Sequence, residues 1–369
     1  MPEETYLPHG LARSGLQGPE KRKGHLRDES RRGGSVDHYT VGWICALQEE
    51  YESACRMLDE ELNDLEVLDE RDNNTYVFGR ISGHCVVIGC LPPGRYGTNS
   101  ASRVAQDMVR SFPSLRFALM VGIGGGLPTP QRDIRLGDVI VGTPSGTLGG
   151  VVQYDLGKLL PGGSFQPTGH LDAPPDKLLG AIPEVRRRYN DPRTAESIGE
   201  HIRRMDDMPE YRRPTIDYLY HSDCTHQGGQ NCHLCDRNHV VERPDRAGRA
   251  VIVHYGTIAS GNTVIKDAIM RDQFASSTMN PLCFEMEAAG LMNNLPCMVI
   301  RGICDYSDSH KNDEWHNYAA LTAAAYAREL LLTLRRHKVA QLPLWKEKTK
   351  PVGKLISAVP SGSPLVERN

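Results

Sequence analysis

From residue 39 to residue 336, apolar runs of strand length alternate with stretches of helical period, and few folds accommodate that alternation. Residues 39–46 read as a buried strand and 47–58 as a helix opening on Glu49-Glu50. Residues 75–80 and 84–90 read as a hairpin turned at Ser82-Gly83. Residues 98–110 form an amphipathic helix, because Ala101, Val104, Ala105, Met108 and Val109 share one face. Strands are expected at 117–121, 138–142, 251–259 and 297–303, and helices at 263–274 and 318–336. Residues 282–292 run from strand into helix. Strands alternating with helices predict a layered α/β domain over 39–336.

Residues 156–250 break the rhythm. They are polar and rich in Pro, Arg and Asp, which predicts a functional insertion or lid rather than a plain connection. Residues 1–38 lack a period and predict a disordered tail, in which Lys21-Arg22-Lys23 is a solvated charge run. The prolines from 343 onward predict a second tail over 337–369. A formal charge of −3 and 6% aromatic residues argue against nucleic acid as a partner. No run approaches the roughly 20 apolar residues that span a bilayer, so no membrane partner is expected. The ten cysteines are mostly isolated in apolar strands, which predicts reduced thiols in an intracellular, cytoplasmic protein.

Gly122-Ile123-Gly124-Gly125-Gly126 follows the strand at 117–121. A dinucleotide fingerprint needs a helix at its last glycines, but Pro128 and Pro130 follow here. Two readings stay open: a structural strand turn, or a backbone cradle for a ligand at the carboxyl end of a strand.

Three acids sit at strand ends. Glu50 follows the first strand, Glu287 lies in Glu285-Met286-Glu287-Ala288, and Asp305 closes the last strand. Each alone is compatible with a simple helix-dipole or surface role. Together they suggest a hydrolytic or group-transfer site. Glu287 is placed to accept hydrogen bonds from vicinal ribose hydroxyls. A shielded Asp305 would have a raised pKa and donate a proton at neutral pH.

In their order, these motifs resemble the nucleoside phosphorylase superfamily, and most closely its methylthioadenosine/S-adenosylhomocysteine nucleosidases. The chain also resembles fungal nucleoside phosphorylase-like domains of the kind fused to NACHT or ankyrin-repeat proteins. The resemblance covers 39–155 and 251–335. It implies a three-layer α/β/α fold with a central mixed, twisted sheet, interrupted by the insertion at 156–250. It also implies a homo-oligomer acting on a purine nucleoside or nucleotide without a required cofactor. Carried onto this sequence, Glu50 activates water and Gly124 and Gly125 border water and ribose. Val264 and Ile265, after Ser260-Gly261-Asn262, lie near the base. Met286 packs on the sugar, Glu287 holds its hydroxyls, and Asp305 protonates purine N7. Cys304 replaces a serine of the family, and Asn262 an aspartate.

The resemblance leaves hydrolysis and phosphorolysis open. Phosphorolysis needs a phosphate nest lined with arginine, for which Arg95 in Gly94-Arg95-Tyr96-Gly97 is the candidate. Arg95 is equally a candidate for the 5′-phosphates of a nucleotide. A base placed as Glu50 is would repel phosphate, so hydrolysis is the expectation. The alternatives are a phosphorylase and a catalytically silent ligand-sensing module. Finally, Cys232-His233-Leu234-Cys235 has zinc-knuckle spacing. Cys224 or His226 together with His239 would complete a structural zinc site. The other reading is metal-free thiols, because no second Cys-x-x-Cys is present.

Overall fold

The computed structural model describes residues 34–345, apart from 63–64, 66–68, 162–164, 192, 194–196 and 247. The tail expected at 1–38 lies outside the described residues except for 34–38, which hold a short turn at Val36–His38. The tail expected from 337 departs from expectation in its described part. Residues up to 345 pack on the body and bury Trp345, whose N–H donates to Leu115 O.

In chain order the strands are β1 (Val41–Cys45), β2 (Glu60–Leu62), β3 (Tyr76–Ile81), β4 (His84–Cys90), β5 (Phe117–Gly126), β6 (Val139–Gly142) and β7 (Val151–Gln153). They continue with β8 (Gly157–Leu159), β9 (Phe165–Pro167), β10 (Val253–Gly256), β11 (Ile258–Ser260), β12 (Cys283–Glu285) and β13 (Cys297–Asp305). The helices are α1 (Gln48–Arg56), α2 (Thr98–Ser111), α3 (Asp176–Leu179), α4 (Ile182–Asn190), α5 (Ser197–Ile202), α6 (Ala268–Ala275), α7 (Ala289–Met292), α8 (His316–Thr333) and α9 (Arg336–Ala340).

Eleven strands form one mixed sheet, with the path β10-β6-β13-β5-β1-β4-β3-β2 and with β12, β11 and β7 branching from the end of β5. β1, β5 and β13 are parallel neighbours, so their carboxyl ends lie side by side. Every residue of β1 and β13 is buried, as expected for parallel strands covered on both faces. Gly42 pairs with Ala118, and Ala118 with Cys297, so these three positions share a face; Met108 of α2 packs there. Gly302 points the other way and meets Ala319 of α8. Helices therefore cover both faces, as expected of the three-layer arrangement.

Helix α8 is buried around nearly its whole circumference from Tyr318 to Leu331. An alanine- and leucine-rich helix that is apolar all round requires such cover. Part of that cover is the insertion. Its α4 and α5 pack on α8, with Arg188 and His201 both reaching the buried Glu329. Tyr211 donates to Glu52 at 2.6 Å, and Ile216 O accepts from Trp315 Nε1 at 2.8 Å. Arg246 meets the buried Asp138 at 2.6 Å. Residues 156–250 thus hold a hairpin, short helices and turns, and pack onto the body.

Local differences from expectation have identifiable causes. β5 runs five residues past 121 because β13 continues beside it and β12 crosses at Gly125–Gly126. The strand expected at 251–259 divides at Thr257, where pairing passes from β6 to β7 and β12. The helix expected from 263 starts only at Ala268, because Asp267 caps it by accepting from Ile269 N and Met270 N. Residues 261–267 are left irregular beside the carboxyl ends of the strands. Among the described residues, no helix is long and apolar enough to cross a membrane.

Candidate functional site

Glu50 occupies the first turn of α1, immediately beyond β1, and is 3% exposed. Its Oε2 accepts from Ala46 N at 2.6 Å and Leu47 N at 3.0 Å, and its Oε1 from Ile123 N at 2.8 Å. The first two bonds tie the carboxylate to its own helix start, and the third ties it to β5. A carboxylate offers about four lone-pair directions, so one on Oε1 stays available for a further donor. Burial raises the Glu50 pKa; Arg301 and the three N–H groups oppose the rise. Gly122 makes room for this contact, since a Cβ there would lie 2.2 Å from Glu50 Oε1.

Arg301 is the cation at the centre of the site and is fully buried in β13. It donates to Glu285 in a short ion pair, to Glu287 Oε2 at 3.4 Å, and lies 3.9 Å from Glu50 Oε1. Glu285 also accepts from Glu287 N and Ala288 N, which fixes the turn between β12 and α7. One buried cation among three carboxylates leaves excess negative charge, which favours retaining a proton. Glu287 shows this: burial, with Glu285 and Glu50 nearby, pushes its pKa up to about 7 against the pull of Arg301. Its Oε1 also accepts from Gly97 N at 3.4 Å, at the start of α2.

Asp305 corrects the expectation of a raised pKa. It is buried, and burial alone would raise it, but Lys311 Nζ lies 2.6 Å from Oδ2. Ser307 N donates to Oδ1 at 2.8 Å and the Cys304 thiol to Oδ2 at 3.1 Å. Together these hold the Asp305 pKa below the ordinary aspartate value, while Asp305 raises that of Lys311. The pair therefore stands at neutral pH as carboxylate and ammonium. The single, weakly donating S–H of Cys304 has Gly124 O, at 3.5 Å, as its alternative acceptor. Gly125 is needed for close approach here, as a Cβ would come within 2.7 Å of Asp305 Oδ1.

These groups line one cavity of about 280 Å³. Glu50, Gly124, Gly125, Val264, Ile265, Met286, Glu287 and Asp305 all border it. Ile123, Val264, Ile265, Phe284 and Met286 supply an apolar wall. Arg95 does not join them; it is exposed and is not among the lining residues, whereas its neighbour Tyr96 is. Asn262 turns away: its Oδ1 accepts from Thr98 N at 3.0 Å and so caps α2, and its N–H donates to Asp155. No described residue of 156–250 lines the cavity. The sequence reading missed Arg301, Lys311, Phe284 and His316 as members of the site. A charge inside the apolar run 298–303 was the available signal for Arg301; nothing in the residues around Lys311 marked it.

Cys232 and Cys235 lie outside this cavity, in the insertion, where His226 rather than His239 joins them.

No family model matches the chain. It is 47% identical over 297 residues to a nucleotide-binding leucine-rich repeat (NLR)-like protein of Hyaloscypha variabilis, covering 80% of this chain and 29% of that protein. It is 25% identical over 241 residues to the ATP nucleosidase Cap17 of Escherichia coli, covering 64% of this chain and 39% of that protein. The chain thus spans well under half the length of either relative. Among solved structures, the 5′-methylthioadenosine/S-adenosylhomocysteine nucleosidase of Neisseria meningitidis, in complex with methylthio-immucillin-A, superposes with a TM-score of 0.52. That match has 17% identity and covers 80% of this chain and all of the nucleosidase. The chain has the nucleoside phosphorylase-like α/β fold, and the expected resemblance to that superfamily holds at the level of fold.

Proposed function

We propose that this chain hydrolyses the N-glycosidic bond of an adenine nucleoside or nucleotide, releasing free base and ribose or ribose phosphate. The observation that carries the reading is the convergence of Glu50, Glu287 and the Lys311–Asp305 pair on one cavity with an apolar wall. The fold and the nucleosidase names of the relative and the neighbour support the same reaction class.

In this account the purine lies against Val264, Ile265, Phe284 and Met286. Glu287 accepts hydrogen bonds from the ribose hydroxyls, and its negative charge favours the oxocarbenium-like state. Glu50 takes a proton from water through the unfilled side of Oε1, and the water oxygen bonds to C1′. The C1′–N9 bond breaks and its electron pair moves onto the purine. N7 receives a proton from the Lys311–Asp305 pair, in which Lys311 is the proton carrier and Asp305 the positioned carboxylate. Water rather than phosphate is the nucleophile because the lining cations are engaged: Arg301 with Glu285 and Glu287, Lys311 with Asp305. An incoming phosphate would also meet the Glu50 carboxylate. A 5′-phosphorylated substrate accords with the name of the Escherichia coli relative.

The test is chromatography after incubation with adenosine, AMP, ATP, inosine and methylthioadenosine. Free adenine from at least one adenine substrate is the expected result. Absence of base release from all of them overturns the proposal.

A further inference from the structure

Residues 221–239 are polar, and the only helices among them are the three-residue 3-10 turns Cys232–Leu234 and Arg237–His239. Leu234 is 72% exposed, and Cys235 is the buried apolar residue of the stretch. A hydrophobic core does not account for its order. Three side chains converge instead. His226 Nδ1 lies 3.2 Å from Cys235 Sγ and 3.9 Å from Cys232 Sγ, and all three ligand atoms fall within 4.8 Å of one another. Tetrahedral zinc, with bonds of about 2.3 Å to sulfur and 2.0 Å to nitrogen, separates its ligands by roughly 3.5–3.8 Å. The observed distances bracket that range.

The histidine is also prepared for the role. Its Nε2 lies 3.2 Å from Gly229 O. A carbonyl only accepts, so Nε2 carries the hydrogen, and Nδ1 is the ring nitrogen that faces the two thiols. Donation of the distal N–H to a backbone carbonyl is the usual support of a metal-bound histidine.

We propose that His226, Cys232 and Cys235, with Cys224 as fourth ligand, bind a structural zinc ion that clasps the insertion to the loop carrying Lys311. Cys224 is assigned as the remaining thiol of the stretch: its Sγ, outside the group of three, lies 3.8 Å from His310 Nε2, and the His310 ring meets the His226 ring edge-on at 5.6 Å. The loop side of the clasp is explicit. His226 N donates to Ser309 Oγ at 3.0 Å, and the Cys232 thiol lies 3.8 Å from His310 O. Lys311, the next residue, holds Asp305. A closed set of three thiolates and one imidazole suits a structural rather than a catalytic zinc.

The experiment uses the full chain and does not depend on the catalytic reading. Metal is measured in protein purified without chelator, then after stripping and reconstitution with zinc or cobalt. About one zinc per chain is expected, together with the visible bands of tetrahedral thiolate-bound cobalt. The Cys232→Ser/Cys235→Ser variant should lose both. Wild-type protein that takes up neither metal overturns the site. For the clasp, stripped wild-type protein should be cut by protease within 221–239 while the zinc-loaded form resists. Equal resistance of the two forms overturns the clasp even where zinc binds.

Discussion

At the scale of single residues, the proposed function rests on how burial and charge set the protonation of four groups. Glu50 is raised by burial, which suits a general base, and three N–H donors fix its direction. Glu50→Gln removes the base, so kcat should fall by about 10²–10⁴-fold; since both carboxylate oxygens accept backbone N–H bonds and an amide keeps one acceptor, a lower melting temperature is expected beside it. Steady-state kinetics beside a melting curve decide this; near-normal kcat removes Glu50 from the reaction. The pH profile follows from the same shifts. In the proposed reaction Glu50 and Glu287 act as carboxylates; the pKa of both is raised, that of Glu287 to about 7. Activity is lost as either gains its proton, so kcat/KM should already decline as pH falls through neutrality rather than near 4. A flat profile down to the ordinary carboxylate range contradicts the assignment. Lys311→Met tests the proton carrier. Without the ammonium, burial dominates Asp305 and its pKa rises. Activity should drop, and more at alkaline than at neutral pH, because Asp305 must then carry the proton itself. An equal loss at both would point to a structural role for Lys311.

At the scale of elements, β1, β12 and β13 lead to the acids and β5 makes room for two of them, and their legibility in the sequence was uneven for physical reasons. Apolar runs ending in an acid marked β1 and β13, because parallel strands buried on both faces need continuous hydrophobic sequence. β5 was read too short, since glycine signals a turn when read locally, yet here glycines continue the strand. Gly122 and Gly125 are small because Glu50 and Asp305 occupy the space a Cβ would take. That requirement comes from residues 72 and 180 positions away in sequence, so no local pattern exposes it. The same holds for Arg301, whose partners lie on α1, at the end of β12 and just beyond it. Gly122→Ala should therefore leave the fold cooperative but displace Glu50, lowering kcat by roughly 10²-fold. Circular dichroism with kinetics reads both effects; full activity would show that the carboxylate position is not limiting.

At the scale of the whole molecule, the insertion is the part the sequence read least well. It was expected as a functional insertion or lid, and none of its described residues lines the cavity. Its helices instead cover α8, and Tyr211, Ile216 and Arg246 dock it to α1 and to Trp315 and Asp138, which lead into α8 and β6. Polar composition hid this packing: the apolar side chains that join the main core, among them Leu178, Ile182, Val185, Ile198 and Met205, are spread over helices too short to show a sustained period, and ion pairs such as Arg188–Glu329 add to them. The insertion therefore reaches the site indirectly, from behind Asp305 and Lys311. The central claim, that water attacks C1′ in this cavity, is tested most directly by the sugar product. Wild-type protein is incubated with the adenine substrate in buffer with and without inorganic phosphate, and base and sugar are quantified. Equal adenine release is expected in both, with a free C1′ hydroxyl on the sugar. A strict requirement for phosphate, with ribose-1-phosphate as product, would contradict it.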